Sequence, residues 1–517
     1  MANPLEELVL VGATAPYLPT SFLGRQGPSP LASLRGTKPA RFAHLIPLGL
    51  RPVPPQGGHI LSGYGVRGTW WDDWPDTRFY SYPPSLMTFA HAIGGRSDLP
   101  VPIEYVVVGG GVVLLVSFLA LAVLWKEPRF QTGPAYDGPG FSAPPNWILG
   151  LIGVTALFLV IGQLVVPVFG LETIRTRPTI APVMVWVVFW LVVPFLSAVI
   201  GNWYADLNPW RSIARFYRMG NIERIYLVDT LGLWPSTVLF TAFIWLELIH
   251  PGSGVPVTLG RIALIYTVLL LVGVVLVGRE TGLLLFDPFT TYNRLISAIS
   301  PFGRSREGRL VWRGWLRSLA VVPEWKGLWV FVVAMIGTVT YDGASGTDWM
   351  DAISGSLVNT RWGQTLLLVL TIVAIGLAYL AASWVSTRVG RSGLSAFKVA
   401  QRFAHTLVPI ALAYAFAHYF TLIIFEGQQL IAAISDPFAL GWDLFGTADR
   451  RINFFVTTTA PIWYIQVASI VGGHILGVVL AHDRALADFG KDALRSQYAM
   501  LVLMIALTSL GLLVQTG

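Results

Sequence analysis

Runs of about 20 apolar residues recur along the chain from residue 103 to its end. A helix of that length crosses the hydrocarbon core of a bilayer. Charged residues are only 12% of the 517 residues, against roughly 25% in an average soluble domain. Barrel strands would instead alternate polar and apolar positions over about ten residues, and the sequence lacks that pattern. The sequence therefore predicts an all-α, polytopic transmembrane bundle.

The apolar runs predict about ten transmembrane helices, near residues 103 to 125, 147 to 169, 181 to 201, 231 to 249, 261 to 279, 326 to 341, 363 to 386, 403 to 425, 459 to 481 and 498 to 515. Arginines concentrate in the third, fifth and seventh connections, whereas the sixth carries Asp342, Asp348 and Asp351 against a lone Arg361. Positive charge favours the cytoplasmic side. We therefore expect both termini to lie outside the cell membrane.

Two of the basic connections predict interfacial cytoplasmic helices. In "LNPWRSIARFYR", Asn208 is placed as N-cap before Pro209, and Arg211, Arg215 and Arg218 follow on one stripe. In "SREGRLVWRGWLRSL", four arginines recur every three or four residues beside two tryptophans; they are Arg306, Arg309, Arg313 and Arg317. Such stripes suit anionic headgroups, so the lipid bilayer is the expected partner.

The first 86 residues differ in kind from the rest of the chain. They contain Pro and Gly without period, scattered Arg, and neither a span nor a signal-peptide core. We expect Met87 to be the functional start, with 1–86 a disordered tail or an over-extended reading frame. Residues 87–517 then form the integral membrane helical domain.

The chain contains no cysteine, so any metal must be bound by His and carboxylate side chains. The net charge of +7 fits cytoplasmic loops of a membrane protein better than nucleic-acid binding. No G-x-x-x-x-G-K-[ST], G-x-S-x-G or H-E-x-x-H motif occurs. These absences disfavour a P-loop, an α/β-hydrolase triad and the common metalloprotease helix.

Five ionisable residues lie on the predicted outer side, where groups in or near a span are functional candidates. Glu247 and His250 have the Glu-x-x-His spacing of carboxylate-bridged metal sites. His418 lies in the outer part of the eighth span, Glu426 follows at its end, and His91 precedes the first span. A divalent metal held by His91, Glu247, His250 and His418 is one hypothesis; singly, a terminal His is more often a headgroup or hydrogen-bonding residue.

The inner set consists of His405, His474, His482 and Asp483. Gly473-x-x-x-Gly477 favours close helix packing and a hydrogen-bonded His474. We interpret His482 and Asp483 as an ordinary snorkelling end of a span.

Two Asp-Pro-Phe stretches predict helix starts, with Asp287 and Asp436 as N-caps. "QQLIAAIS", just before Asp436, is too short to span and suggests a re-entrant outer loop that could form a mouth or a lid.

Several longer blocks carry a resemblance: "AHAIGGRSDLPVP", "LAVLWKEPRF", "AHYFTLIIFEGQ", "SDPFALGWDLFG" and "LGVVLAHDRAL". Together they resemble a family of multi-pass membrane proteins, common in actinobacteria and often labelled fenitrothion hydrolase. The similarity covers roughly residues 88 to 517. It implies an organophosphate-degrading enzyme of the plasma membrane that acts on small lipophilic phosphotriesters.

Three functions remain open from the sequence. The first is a metal-assisted phosphotriester hydrolase, with His418, Glu247 and Glu426 as catalytic residues around the divalent ion. The second is a transporter or an ion- or proton-conducting protein, which the absence of an internal repeat mildly disfavours. The third is a non-catalytic membrane subunit that binds a metal or a partner protein.

Overall fold

The computed structural model describes residues 100–133, 140–305, 308–391 and 393–514. The predicted extension 1–86 and His91 lie outside these described residues. The described chain is an all-α polytopic bundle with a single small sheet, as the sequence predicts.

Ten apolar helices, numbered by span, form the bundle: α1 (Ile103–Leu124), α2 (Asn146–Val168), α3 (Ile180–Ile200), α4 (Trp234–Leu248), α5 (Pro256–Val277), α6 (Leu328–Ser345), α7 (Arg361–Val389), α8 (Val408–Phe425), α9 (Thr459–Phe489) and α10 (Tyr498–Val514). Each coincides with one predicted span. In the described part of the chain, eight helical stretches are long and apolar enough to cross a membrane, and α4 and α10 are shorter apolar helices.

Short helices fill the connections. They are Tyr204–Leu207, Pro209–Phe216, Tyr226–Leu231, Arg279–Phe286, Pro288–Ser297, Arg317–Ala320, Asp348–Ser354, Ala396–Phe403, Gln429–Ser435 and Ala493–Ser496, with 3-10 turns at Gly355–Asn359, Ala404–Leu407, Glu426–Gln428 and Gly490–Asp492. Within α3, residues Val183–Val192 form a π-helical segment. π-helical segments are rare and often occur at functional sites.

Helix α6 forms the centre of the bundle, because 83% of its apolar stretch is buried inside the protein. Gly337 permits its contact with α7, since an added Cβ would lie 2.8 Å from the Ile372 Cα. A polar residue on so central a helix is removed from lipid and from water, and needs a partner inside the protein.

Helices α8 and α9 pack closely, and two glycines make this contact possible. A Cβ added at Gly473 would lie 2.7 Å from the Pro409 carbonyl oxygen, and one at Gly477 would lie 2.9 Å from that of Thr406. His474 lies between these glycines, is buried, and its Nδ1 is 2.8 Å from the Ile470 carbonyl oxygen. The predicted small-residue packing and the hydrogen-bonded His474 are both confirmed.

Two short helices begin at a shared polar centre inside the protein. Asn208 caps Pro209–Phe216 and Asp287 caps Pro288–Ser297, each with proline at the first helical position. Both capping residues are fully buried, and the Asn208 amide donates to the Asp287 carboxylate at 2.8 Å. Both predicted N-caps are confirmed. We call these helices the Asn208 helix and the Asp287 helix.

The Asp287 helix lies inside the bundle because the chain reverses after α5. Gly278 makes the turn with φ +107, a conformation that favours glycine. Arg279–Phe286 then runs back along α5, so that the Tyr266 hydroxyl donates to the Phe286 carbonyl oxygen at 3.2 Å. Polar backbone that dips into a bundle in this way must be satisfied internally, and the Asp287 cap does so.

The basic stripe predicted for the Asn208 helix is only partly formed. Arg211 is 12% exposed and pairs with Glu280, while Arg215 is exposed. Arg218 lies beyond the helix end at Phe216. The helix begins in the protein interior at Asn208, so only its far end can reach the membrane surface.

The second predicted interfacial helix is wrong. Strand β2 (Phe302–Arg304) pairs with β3 (Leu310–Trp312), which also pairs with β1 (Gly140–Phe141), all antiparallel. Val311 is 2% exposed between the half-buried Leu310 and the exposed Trp312, the two-residue period of a strand. The arginine spacing therefore reflected a hairpin whose Arg309 and Arg313 donate to carbonyl oxygens of Gly140 and Ser297.

Candidate functional site

A buried acid, imidazole and phenol meet where α6 and α8 cross. The Nε2 atom of His418 lies 2.8 Å from Asp342 Oδ2, and the Tyr419 hydroxyl donates to the same oxygen at 2.8 Å. Asp342 is 9% exposed, His418 5% and Tyr419 1%. One carboxylate oxygen therefore lies within hydrogen-bond distance of two groups that can each hold or release a proton.

Asp342 was predicted to lie in an acidic outer loop, and this prediction is wrong. Helix α6 continues to Ser345, four residues past the predicted span end, so Asp342 belongs to its last turns. Glycine at position 343 permits the close approach of α10, because an added Cβ would clash with the Val514 side chain. Asp342 ends a run of α6 residues, 331 to 342, that are buried on every face, and the spacing of residues in the sequence does not reveal this burial.

Glu247 is the fourth member of this cluster. It lies one residue before the end of α4, and its Oε2 atom is buried without a hydrogen-bond partner among the described residues. Its carboxyl group interacts electrostatically with Asp342, Tyr419 and Tyr292. Two carboxyl groups that sense each other in a low-dielectric interior share protons more readily than they carry two charges. We call Glu247, Asp342, His418 and Tyr419 the buried acid cluster.

Aromatic rings connect the buried acid cluster to the Asp287 helix. The Trp190 ring lies 6.2 Å from Tyr419 and 5.3 Å from Tyr292 between ring centroids. Phe240 stacks on Tyr292 at 5.5 Å. Trp190 comes from the π-helical segment of α3, and Tyr292 from the Asp287 helix. These ring contacts join α3, α4, α8 and the Asp287 helix beside the cluster.

The structure brings together two of the predicted outer residues, Glu247 and His418, through Asp342. His250 does not share a helix face with Glu247, because α4 ends at Leu248. Its Nδ1 instead accepts a hydrogen bond from the Gly252 backbone at 3.0 Å. Partial burial and the positive charge of Arg361 lower the pKa of His250. Thus this imidazole is engaged in a local turn.

Glu426 lies at the end of α8, where Gln429 donates to its carboxylate. Within the described residues, no three His, Asp or Glu side chains are grouped closely enough to bind one metal ion. His91 lies outside them. The metal site and the catalytic roles of Glu247, His418 and Glu426 therefore remain predictions.

The predicted N-cap role of Asp436 is wrong, whereas the mouth or lid formed by its loop stays a prediction. Asp436 ends the helix Gln429–Ser435 and starts no new helix. Its carboxylate accepts from the backbone of Leu440 and Gly441 and pairs with Arg177 at 3.0 Å. Arg177 also pairs with Asp449 at 2.9 Å. These contacts fasten the loop to the segment before α3.

The inner pair His482 and Asp483 is not a snorkelling end, because the two side chains are 2% and 1% exposed. Asp483 accepts hydrogen bonds from the Trp125 indole, the Gln131 amide and the Phe130 backbone. Two blocks quoted above, "LAVLWKEPRF" and "LGVVLAHDRAL", are therefore in direct contact. This contact gives both blocks a structural role in holding the connection after α1 against α9.

His405 is also buried, at 4% exposure, and its Nδ1 lies 2.9 Å from the Arg402 carbonyl oxygen. The Nε2 atoms of His405 and His474 have no hydrogen-bond partner among the described residues.

A cavity of about 660 Å³ lies beside the shared polar centre. Tyr204 and Thr290 form one wall, and both donate to the Asp287 carboxylate, at 2.8 and 2.7 Å. The charged side chains of Arg211 and Arg294 also line it. On the predicted topology this cavity lies on the cytoplasmic side of the bundle.

Comparisons with protein families, with curated protein sequences and with solved structures find no match to this chain. The class that the fold and the described site define is a multi-pass membrane protein with a buried acid cluster. The resemblance to fenitrothion hydrolases stays a prediction.

Proposed function

We propose that this protein conducts protons across the plasma membrane through the buried acid cluster. The observation that carries the proposal is the double contact of Asp342 Oδ2 with His418 and Tyr419 at 2.8 Å each, inside the most buried helix of the bundle. This is the second of the functions that the sequence left open.

The free-energy cost of burying these ionisable groups supports the proposal. Ionisable side chains are expensive in the interior of a membrane protein, and those that occur commonly serve proton or ion pathways. Capping and local turns explain Asp287, Asp436 and His250, but no such local role explains Asp342. Its partners are side chains of another helix, each able to exchange a proton with it.

The position of Glu247 supports a relay. Its buried Oε2 has no hydrogen-bond partner among the described residues, and its carboxyl group interacts with Asp342. A proton that leaves Asp342 can therefore be accommodated on Glu247 without placing a second charge in the interior. Tyr292, which also interacts with Glu247, is carried by the helix that lines the inner cavity.

The test is proton flux into sealed liposomes that contain the purified full chain and an internal pH-sensitive dye. A potassium gradient with valinomycin supplies the driving voltage. We expect flux above that of protein-free liposomes, and at least a tenfold loss in Asp342→Asn. The matched control is Asp351→Asn, an exposed aspartate six residues after the end of α6. Equal flux in wild type and Asp342→Asn would sink the proposal.

A second experiment, in which a chelator removes divalent metals, distinguishes proton conduction from metal-assisted hydrolysis. We expect proton flux to persist after divalent metals are removed, because His418 and Tyr419 contact the Asp342 carboxylate directly. The same preparation is assayed with a chromogenic phosphotriester. Metal-dependent ester hydrolysis that is lost in His418→Phe, together with absent proton flux, would favour the enzyme hypothesis instead.

A further inference from the structure

Arg294 is a cation with an unusual environment in the inner cavity. It lies on the Asp287 helix, is exposed, and lines the cavity wall. Its guanidinium lies over the Trp325 ring, 4.6 Å from the centroid. In the part of the chain that the structure describes, no carboxylate lies within ion-pair distance of it. Its hydrogen-bond donors are therefore available to a ligand.

Three of the other charged groups of the wall, Arg211, Glu223 and Glu280, are already engaged, and the fourth, Asp229, is an exposed carboxylate. Arg211 contacts both carboxylate oxygens of Glu280. Glu223 accepts hydrogen bonds from the backbone of Glu280 and Thr281, the first turn of the helix Arg279–Phe286. The pKa of the Glu223 carboxyl is lowered, although burial opposes the shift, because these backbone donors stabilise its charged form. Arg294 is thus the arginine of the wall that makes no ion pair among the described residues, although it interacts electrostatically with Glu280.

The cavity has the size and the mixed lining of a ligand site. Its volume of about 660 Å³ falls in the range of roughly 300–1,000 Å³ typical of small-molecule pockets. Apolar side chains of Ile225, Val228 and Leu284 complete the wall. Ile222 and Tyr226, which are next in sequence to the lining residues Glu223 and Ile225, are 77% and 59% exposed. An anionic group with or without an apolar tail fits this lining.

We propose that this cavity binds an oxyanion, either a phosphate or a carboxylate. Arg294 would donate hydrogen bonds to the anion, and the Trp325 ring packed against the guanidinium would fix its orientation. Arginine presents a planar fork of donors that matches two oxygens of such a group. The ligand is either a free anion or the headgroup of an anionic lipid. The proposal does not rest on proton conduction, since no residue of the buried acid cluster lines the cavity.

The experiment measures binding to the full-length protein in nanodiscs and requires no activity. In the first arm, inorganic phosphate is titrated into protein in phosphatidylcholine nanodiscs, with tryptophan fluorescence as readout. In the second arm, phosphatidylglycerol is titrated into the protein, and retained lipid is counted by native mass spectrometry. We expect Arg294→Gln to weaken binding at least tenfold in one arm, and Arg294→Lys to weaken it less.

The matched control is Arg224→Gln, an exposed arginine of the connection between α3 and α4 that does not line the cavity. It should bind as wild type does. Phosphate binding in the first arm assigns the cavity to a soluble anion, and retention in the second arm alone assigns it to a lipid headgroup. Binding in neither arm, or equal binding by wild type and Arg294→Gln in both, would overturn the proposal. Because Arg294 is exposed, the substitution leaves no buried group unpaired, and gel filtration checks the fold.

Discussion

The contact between Asp342 and His418 predicts a measurable coupling free energy. The perturbation is a double-mutant cycle of Asp342→Asn, His418→Phe and the double variant. The two atoms are 2.8 Å apart, and both side chains are at least 91% buried. Hydrogen bonds to charged groups contribute about 1.5–3 kcal/mol, so we expect a coupling free energy in that range.

The two single variants should lower the free energy of unfolding by different amounts. His418→Phe leaves a buried carboxylate that keeps its Tyr419 partner, and breaking buried pairs from one side costs about 3–5 kcal/mol. Asp342→Asn keeps the shape and one acceptor oxygen, so a smaller loss of about 1.5–3 kcal/mol is expected. The free energy of unfolding is measured by denaturant titration in bicelles.

The control cycle pairs His418→Phe with Asp351→Asn, an exposed aspartate on the next short helix. Distant sites add to within about 0.5 kcal/mol, so this pair should show no coupling. A coupling free energy below about 0.5 kcal/mol for Asp342 and His418 would refute the buried charge-assisted contact.

Three further perturbations test other parts of the fold. Asp483→Ala leaves several part-buried donors without their acceptor, Trp125 among them, and should lower the free energy of unfolding by about 1–3 kcal/mol while exposing the connection after α1 to protease. Gly473→Leu forces a side chain against Ala413, and we expect a loss of at least about 1–3 kcal/mol with separation of α8 and α9, measured by cysteine cross-linking. The pKa of Asp443 is lowered, first by the hydrogen bond from the Ala448 backbone. The carboxylate therefore stabilises the outer loop above the ordinary pKa of 3.8, and this stabilisation is lost as the pH falls through the lower pKa of the folded protein. Hydrogen exchange of the loop should become faster in that pH range, and an unchanged rate would contradict the prediction.

The helices could be predicted from sequence because the bilayer requires about 20 apolar residues per span. The caps Asn208 and Asp287 were also predictable, since a polar residue before proline has one favoured local role. The hairpin at β2 and β3 was not, because arginines spaced by three or four residues fit a helix stripe as well as a loop and strand. The strand is distinguished from a helix by the burial of Val311, and this burial depends on contacts with residues distant in sequence.

The buried acid cluster shows the same limit. His418 stood out because it interrupts a long apolar run, which is a local signal. Asp342 and Asp483 stood at the ends of apolar runs, where a charge ordinarily marks the membrane surface. Their burial comes from helices far away in sequence that meet them, so spacing alone could not identify either residue.

The central claim is that the buried acid cluster exchanges protons, and infrared difference spectroscopy measures this most directly. Reconstituted protein is taken through a pH step across the titration range of carboxyl groups, and the carbonyl stretch of protonated carboxyl groups is recorded. We predict a band that is altered in Glu247→Gln and in Asp342→Asn but unchanged in Asp351→Asn. A spectrum that is the same in wild type and in both cluster variants would contradict the account.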